Sequence, residues 1–397
     1  MDAVGGKERA GRSGKAFSLS SARTGVAGPR RPVRTTTYAA SGVDLAGRDR
    51  ALRGLLRAAR YRAPAAHGRP ISAPGHFAGL VRIGRETIAL TTDTVGTKVL
   101  LAEELGRWEE VGEDLVAINV NDLAAVGARP AAIVDTILCA AGDRRQFRAI
   151  GRGIARGLAA ARCSLVGGET ALVGEIVRGI DLGATAVGFF PNGRRPVLGR
   201  GIRPGDRLLG IPSSGLHANG FTLVRRLLRE AGVSLRRRRP RASVPLGLEL
   251  LTPTRTYTES VDRIADLPSV VGLAHLSGGG VRNLPRLRST VRFVLDTWPA
   301  PNSLFSWLKE VGGLSDQEMF QTFNMGVGFV VVCRPGGEAQ VRERLAESGA
   351  PDARPVGHVA SGTGVELPAY QLRYAGYIPR PGRSGRRAGS ARPPAKT

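Results

Sequence analysis

The sequence predicts an α/β protein made of two successive α/β halves between two basic tails. Three observations lead there. Short apolar runs that read as strands alternate with segments whose apolar residues recur at helical spacing. A hydrophobic content of 42% and 54 glycines among 397 residues suit an α/β protein with a substantial core. Polar or glycine-rich segments stand where strands should end, which is where α/β sheets bind ligands.

Residues 1–37 are rich in Gly, Ser, Arg and Thr without periodicity and are expected to be a disordered basic tail. In the first half, 38–195, Leu80–Ile83 and Thr87–Thr92 predict a strand pair around Gly84-Arg85. Glu113–Ala125 predicts a helix and Ala131–Cys139 a strand. Phe147, Ile150, Ile154 and Leu158 fall on one face of a helix at 144–162. Ser164–Val166 and Leu182–Phe189 predict further strands, and Gly193–Arg203, punctuated by Pro191, Pro196 and Pro204, reads as a connector.

The second half, 205–370, opens with a buried strand at Arg207–Ile211. A helix at Gly220–Glu230 carries Leu223, Val224, Leu227 and Leu228 on one face. Gly272–Leu276 and Val327–Cys333 predict strands, Ser303–Val311 and Glu338–Glu347 helices, and Arg354–Val359 a last core strand. Residues 379–397 are Pro/Gly/Arg-rich and are expected to be a second disordered tail.

Composition narrows the function classes. No apolar run approaches the roughly 20 residues of a membrane span, so no membrane segment is expected. The N-terminus lacks an apolar signal-peptide core. Cys139, Cys163 and Cys333 are far apart, which predicts neither a zinc site nor a disulfide framework and favours a reducing, cytoplasmic compartment.

A net charge of +25 raises the possibility of nucleic-acid binding. Residues 1–37 and 373–397, however, carry +13 of it, and only five of the basic residues are lysine. Aromatics, 5% of the chain, do not interleave with the basic runs, so no stacking platform and no specific nucleic-acid partner are expected. The run Arg236–Arg239 with Arg241 reads as a solvated loop between a helix and a strand.

The chemistry is carried by six segments. Thr91–Lys98 places Asp93, the hydroxyls of Thr92, Thr94 and Thr97, Gly96 and Lys98 on one short loop after a strand. Those groups suit a metal–polyphosphate, although the Walker A spacing is absent. Gly75-His76-Phe77-Ala78-Gly79 is a glycine-flanked loop, able to close over a nucleotide or to serve as a turn. Asp114, Asn121 and Asp122 bracket an apolar helix body. Val166-Gly167-Gly168-Glu169-Thr170 reads as a strand ending in two glycines, bringing a further carboxylate. Ser213-Ser214-Gly215-Leu216-His217-Ala218-Asn219-Gly220 lies between strand and helix, where backbone N–H groups suit an anion. His217 is read there either as a phosphate donor or as a proton shuttle. His275-Leu276-Ser277-Gly278-Gly279-Gly280 is another anion-binding loop.

Taken together and in order, these segments resemble the phosphoribosylformylglycinamidine cyclo-ligase family, also called aminoimidazole ribonucleotide (AIR) synthetase. The resemblance starts at Tyr38-Ala39-Ala40-Ser41-Gly42-Val43-Asp44, includes Leu251-Thr252-Pro253-Thr254-Arg255, and ends near Glu318-Met319-Phe320-Gln321-Thr322-Phe323-Asn324-Met325-Gly326-Val327-Gly328. It implies two α/β domains, with the N-terminal sheets of two subunits meeting as a barrel in a homodimer. The implied reaction is ATP-dependent closure of formylglycinamidine ribonucleotide (FGAM) to AIR in purine biosynthesis.

The resemblance also implies site roles. Asp93, Asp122 and Glu169 are expected to bind Mg²⁺. Gly75, His76, Gly79, Thr94, Gly96, Thr97 and Lys98 are expected at ATP and its phosphates. Asp114, Asn121, Ser213, Ser214, Gly215, His217, Asn219, Ser277, Gly278, Gly279 and Gly280 are expected at the substrate. Lys98, His217 and His275 are the expected catalytic groups, with the two histidines equal candidates for proton transfer.

Overall fold

The computed structural model describes residues 45–59, 64–72 and 75–375, all within one compact unit. Both tails and the Tyr38–Asp44 motif lie outside the described residues.

The first half contains strands β1 (Arg69–Pro70), β2 (Gly79–Ile83), β3 (Glu86–Thr94), β4 (Arg129–Cys139), β5 (Ser164–Leu172) and β6 (Ile180–Phe189). They form one sheet in the order β1-β2-β3-β6-β4-β5, antiparallel except for the β4/β5 pair. Its helices are α1 (Leu45–Ala58), α2 (Val99–Leu105), α3 (Glu109–Ala124) and α4 (Arg144–Ala161). The α4 crossover joins the parallel pair, as a parallel connection requires. The Asp143 carboxylate caps α4 by accepting from the Gln146 N–H at 2.8 Å.

Helix α3 covers β3 and β6 while α4 packs on α3. Glycines set the α3–α4 spacing: a Cβ on Gly153 would come within 1.9 Å of the Glu109 carbonyl oxygen. The opposite face of this sheet, carrying Leu90, Val134 and Phe189, is left exposed by the described residues.

The second half contains β7 (Arg207–Pro212), β8 (Val270–His275), β9 (Val291–Val294), β10 (Val327–Cys333), β11 (Arg354–Ser361), β12 (Gly364–Leu367) and β13 (Leu372–Tyr374). Their order is β13-β12-β9-β11-β7-β10-β8, with β10 fully buried and only β12/β9 parallel. Helices α5 (Phe221–Glu230), α6 (Leu246–Leu251), α7 (Thr258–Asp262), α8 (Ser303–Gly312), α9 (Asp316–Thr322) and α10 (Glu338–Glu347) complete it. No described helix is long and apolar enough to cross a membrane.

Several expectations need correction. Thr91–Thr94 belong to β3, and only Val95 and the 3-10 turn Gly96–Lys98 leave the strand. β5 does not stop at Gly167-Gly168 but runs on to Leu172, because its ladder with β4 continues across both glycines. β11 is not the last strand, since β12 and β13 extend the sheet beyond it. The arginine run lies between α5 and α6, two helices, and Arg239 is buried against Glu249 and Ser303.

Candidate active site

Helix α3 is buried along most of its length, and its buried residues include Asp114, Asn119, Asn121 and Asp122. Buried polar groups need partners, and those partners define two distinct structures.

The first is a clamp. Lys98 and Asp114 are both without solvent exposure and pair at 2.6 Å. Lys98 Nζ also donates to the Thr252 carbonyl at 2.9 Å. Asp114 Oδ1 accepts from the Thr254 N–H at 2.8 Å and from its hydroxyl at 2.5 Å. Asn121 donates to the Arg255 carbonyl at 2.9 Å and accepts from the Tyr257 N–H at 2.8 Å. The chain between α6 and α7 is thus read out by three side chains from the first half. Lys98 faces this interior pair instead of a phosphate, and Asp114 and Asn121 hold protein backbone instead of substrate. Their polarity was visible in the sequence, but the direction they face was not.

The second structure is a charged centre. Asp122 Oδ1 lies 2.9 Å from His275 Nδ1, linking α3 to the end of β8. The imidazole nitrogen donates when the carboxylate is ionised. Asp93, at the end of β3, stands close enough to respond electrostatically: burial first, then the Asp122 charge, push its carboxyl up to about 6. Its Oδ1 accepts from the Thr94 N–H at 2.8 Å. His76 lies within the field of Asp122 and Arg286, and burial followed by the Arg286 charge pushes it down to about 4.

Asp93 and Asp122 are therefore two oxygen-donor carboxylates whose mutual repulsion a divalent cation would relieve. Mg²⁺ is commonly held by one or two carboxylates together with substrate phosphates, so the pair fits it. Glu169 does not join them. The registers align Thr94, Gly183, Thr136 and Glu169 in one row, and Asp93, Ala184, Asp135 and Gly168 in the next. Adjacent rows point to opposite faces, so Glu169 shares the open face with Thr94, away from Asp93. Among the described residues no group of three or more His, Cys, Asp or Glu side chains is placed to hold a metal.

The two histidine loops meet in space. His217 has a left-handed φ of 63°, uncommon for a residue with a side chain. Its Nε2 accepts from the Ser214 N–H at 3.3 Å, and the His217 and His275 ring centroids are 6.4 Å apart, with Tyr257 beside both. Burial pushes His217 well below its ordinary range. Neither ring is solvent-exposed; His217 Nδ1 and His275 Nε2 find no hydrogen-bond partner among the described residues.

Ser213 and Gly215 are tied to the Asn324 side chain, at 3.0 and 2.8 Å, and Ser214 Oγ donates to the Pro253 carbonyl at 2.6 Å. Asn219 lies against the glycine loop, where a Cβ on Gly278 would come within 2.7 Å of its Oδ1. Gly279 and Gly280 have φ values of 103° and 53°, and Gly280 is further required because a Cβ would meet the Phe320 carbonyl at 2.2 Å. Asn283 donates to the carbonyls of Ser277, Gly278 and Gly280.

Gly75 has a φ of 104°, Gly79 begins β2, Gly96 has a φ of 68°, and Thr97 Oγ1 is 2.9 Å from Thr222 Oγ1 on α5. Tyr257, Asn283, Arg286 and Asn324 were not assigned roles from sequence. Asn283 and Asn324 stood beside or within quoted motifs; nothing local marked Tyr257 or Arg286.

Comparison with known proteins agrees with this geometry. Residues 75–190 match the family model "AIR synthase related protein, N-terminal domain", and residues 203–369 the corresponding "C-terminal domain". A phosphoribosylformylglycinamidine cyclo-ligase of Methanosarcina barkeri is 42% identical over 299 residues, covering 75% of this chain and 88% of that protein. The chain belongs to the AIR synthase family. A second such cyclo-ligase, from Methanothermobacter thermautotrophicus, is 41% identical over 336 residues, covering 84% of this chain and 97% of its own.

Solved structures share the AIR synthase fold. The crystal structure of tt0281 from Thermus thermophilus superposes with a TM-score of 0.58 at 22% identity, covering 81% of this chain and 97% of that one. AaThiL, solved with AMPPCP and TMP, gives 0.57 at 19% identity, covering 81% and 93%. The charged centre draws on both halves, with Asp93 near the end of β3 and Asp122 on α3 from the first and His275 at the end of β8 from the second.

Proposed function

We infer that this chain is an ATP-dependent cyclo-ligase that converts FGAM to AIR with release of ADP and phosphate, in purine biosynthesis. The observation that carries the reading is identity of about 40% to cyclo-ligases along nearly their whole length.

The chemistry explains the need for ATP. An amide oxygen is a poor leaving group. Transfer of the γ-phosphoryl group to that oxygen gives an iminophosphate, and attack by the amidine nitrogen expels it as phosphate. The protein must bring two ends of one substrate together and stabilise developing negative charge.

Asp93 and Asp122 are proposed to hold Mg²⁺, which when bound would neutralise phosphate charge. The Gly75–Gly79 loop, Gly96 and Thr97 are proposed at ATP, whereas Thr94, on the open face with Glu169, is not. Ser213–Asn219 and Ser277–Gly280 are proposed at FGAM, with Asn324 and Asn283 holding those loops in shape. His275, oriented by Asp122, and His217 are proposed to manage protons once substrate opens a path to them. Lys98, Asp114 and Asn121 are assigned to positioning the Thr252–Tyr257 chain.

We propose the two domains as 38–195 and 205–370, a division supported by the two sheets and by the two family-model matches. A homodimer is proposed through the open face of the first sheet, supported by its exposed Leu90, Val134 and Phe189. In that arrangement Thr94 and Glu169, which share this face, would lie at or near the subunit boundary. A cytoplasmic location is proposed for the same metabolic role.

The test is direct. Purified protein with FGAM and Mg·ATP should form AIR with equimolar ADP; phosphorylation of thiamine monophosphate instead would overturn the reading. Asp93→Asn and Asp122→Asn should each lower turnover at least about a hundredfold, as loss of charge stabilisation at a transferring phosphoryl group does. Near-normal turnover in either variant would remove that residue from the metal site.

A further inference from the structure

We propose that Arg286 is a positioning residue that latches the Gly75–Gly79 loop to the Ser277–Gly280 loop, so that the ATP and substrate loops hold their working positions together. The proposal rests on the functional reading of those two loops given above.

Arg286 lies in the 3-10 turn Gly280–Arg286 that follows the three glycines. Its Nε donates to the Gly75 carbonyl at 3.0 Å and its Nη2 to the His76 carbonyl at 2.7 Å. Its Nη1 donates to Asn283 Oδ1 at 3.2 Å. The guanidinium also stands over the Phe77 ring, 4.1 Å from its centroid, and Phe77 is buried. Asn283, with no solvent exposure, passes the connection on through its amide to Ser277, Gly278 and Gly280 at 3.4, 3.3 and 3.1 Å.

A continuous set of contacts therefore runs from one loop to the other across more than 200 residues of sequence. Gly75 and Gly79 leave the first loop little conformational preference of its own. What fixes it must come from outside, and Arg286 engages three successive residues. A planar fork can serve two carbonyls and an amide oxygen at once while stacking on an aromatic ring; an ammonium cannot reproduce that geometry. Arg286 also places positive charge in the field of Asp93 and His76, so moving the latch would change the charged centre as well as the loop.

The experiment compares wild type with Arg286→Ala, Arg286→Gln and Arg286→Lys in the full chain. Chymotrypsin cleavage after Phe77, mapped by mass spectrometry, reads the loop without reference to activity. Steady-state kinetics of AIR formation read its consequence. In all three variants cleavage after Phe77 should rise about tenfold or more relative to other sites, and KM for ATP should rise about tenfold, the size expected for losing charge-assisted hydrogen bonds. The turnover number should change much less.

Wild-type behaviour of Arg286→Lys in both readouts would overturn the latch, because charge alone would then suffice. Unchanged cleavage and KM in Arg286→Gln would overturn it as well. If Arg286→Ala does not fold, Gln and Lys carry the comparison. If wild type forms no AIR, the functional reading fails, and cleavage after Phe77 alone decides whether the loop is latched.

Discussion

Lys98 and Asp114 form an ion pair at 2.6 Å in which neither side chain reaches solvent. The pair joins the turn after β3 to helix α3, and through Thr252 and Thr254 it fixes the chain that leads to Tyr257. Lys98→Met would leave a buried carboxylate without its cation. The expected cost is about 3–5 kcal/mol, measured by urea unfolding at pH 7. Adding Asp114→Leu should cost less than the sum of the two single changes, since the second substitution removes the orphaned charge. A loss below about 1 kcal/mol for Lys98→Met would show that the pair is not what holds this region.

His217 is held neutral by burial. In the unfolded chain it takes up a proton below about pH 6.5, whereas in the fold it does so only at lower pH. Its folded-state pKa is depressed, so its contribution to stability is present above about 6.5 and is lost as pH falls below that value toward the folded pKa. The slope for one such group approaches 1.4 kcal/mol per pH unit. Asn tolerates the left-handed φ of 63°, so His217→Asn should flatten the fall in stability between pH 6.5 and 5. Equal acid sensitivity in both proteins would contradict this account.

Gly278 has room for no side chain on the side facing Asn219, whose Oδ1 would be 2.7 Å from an added Cβ. Gly278→Ala should displace Asn219 and loosen the glycine loop while leaving the β8 strand intact. Activity is expected to fall about tenfold or more in kcat/KM, with thermal stability changed by under about 1.5 kcal/mol. A fully active variant would argue that neither residue touches substrate.

The exposed face of the first sheet carries Leu90, Val134 and Phe189. Leu90→Glu together with Val134→Glu places charge on that face without touching the core. Light scattering after size exclusion should report a dimer for the wild type and a monomer for the double variant, because apolar patches of this kind mark interfaces. A monomeric wild type, or a dimeric variant, would remove this face from assembly.

Much of the fold was legible because periodicity is a local property. The α4 stripe, the α5 face and the run Val327–Cys333 each announced their element, and the structure places them within a residue or two of the expected bounds. Short helices such as α6, α7 and α9 were not visible, since five to seven residues give too few turns for a stripe to emerge. The arginine run misled because charge alone does not say where a side chain ends: Arg239 turns inward to Glu249.

The sequence by itself determined the family, through the order and content of six loops, and with it the reaction. It named Asp93 and Asp122 through the family resemblance, and His217 and His275 because they sit in hydroxyl- and glycine-rich segments that match the same motifs. Only the tertiary structure decided which of those groups share a centre. Asp122 meets His275, Lys98 turns away to Asp114, and Glu169 falls on the other face of its sheet. The reason is physical: residue type and spacing fix what a group can do, but strand register and helix packing fix which way it points and what it can reach.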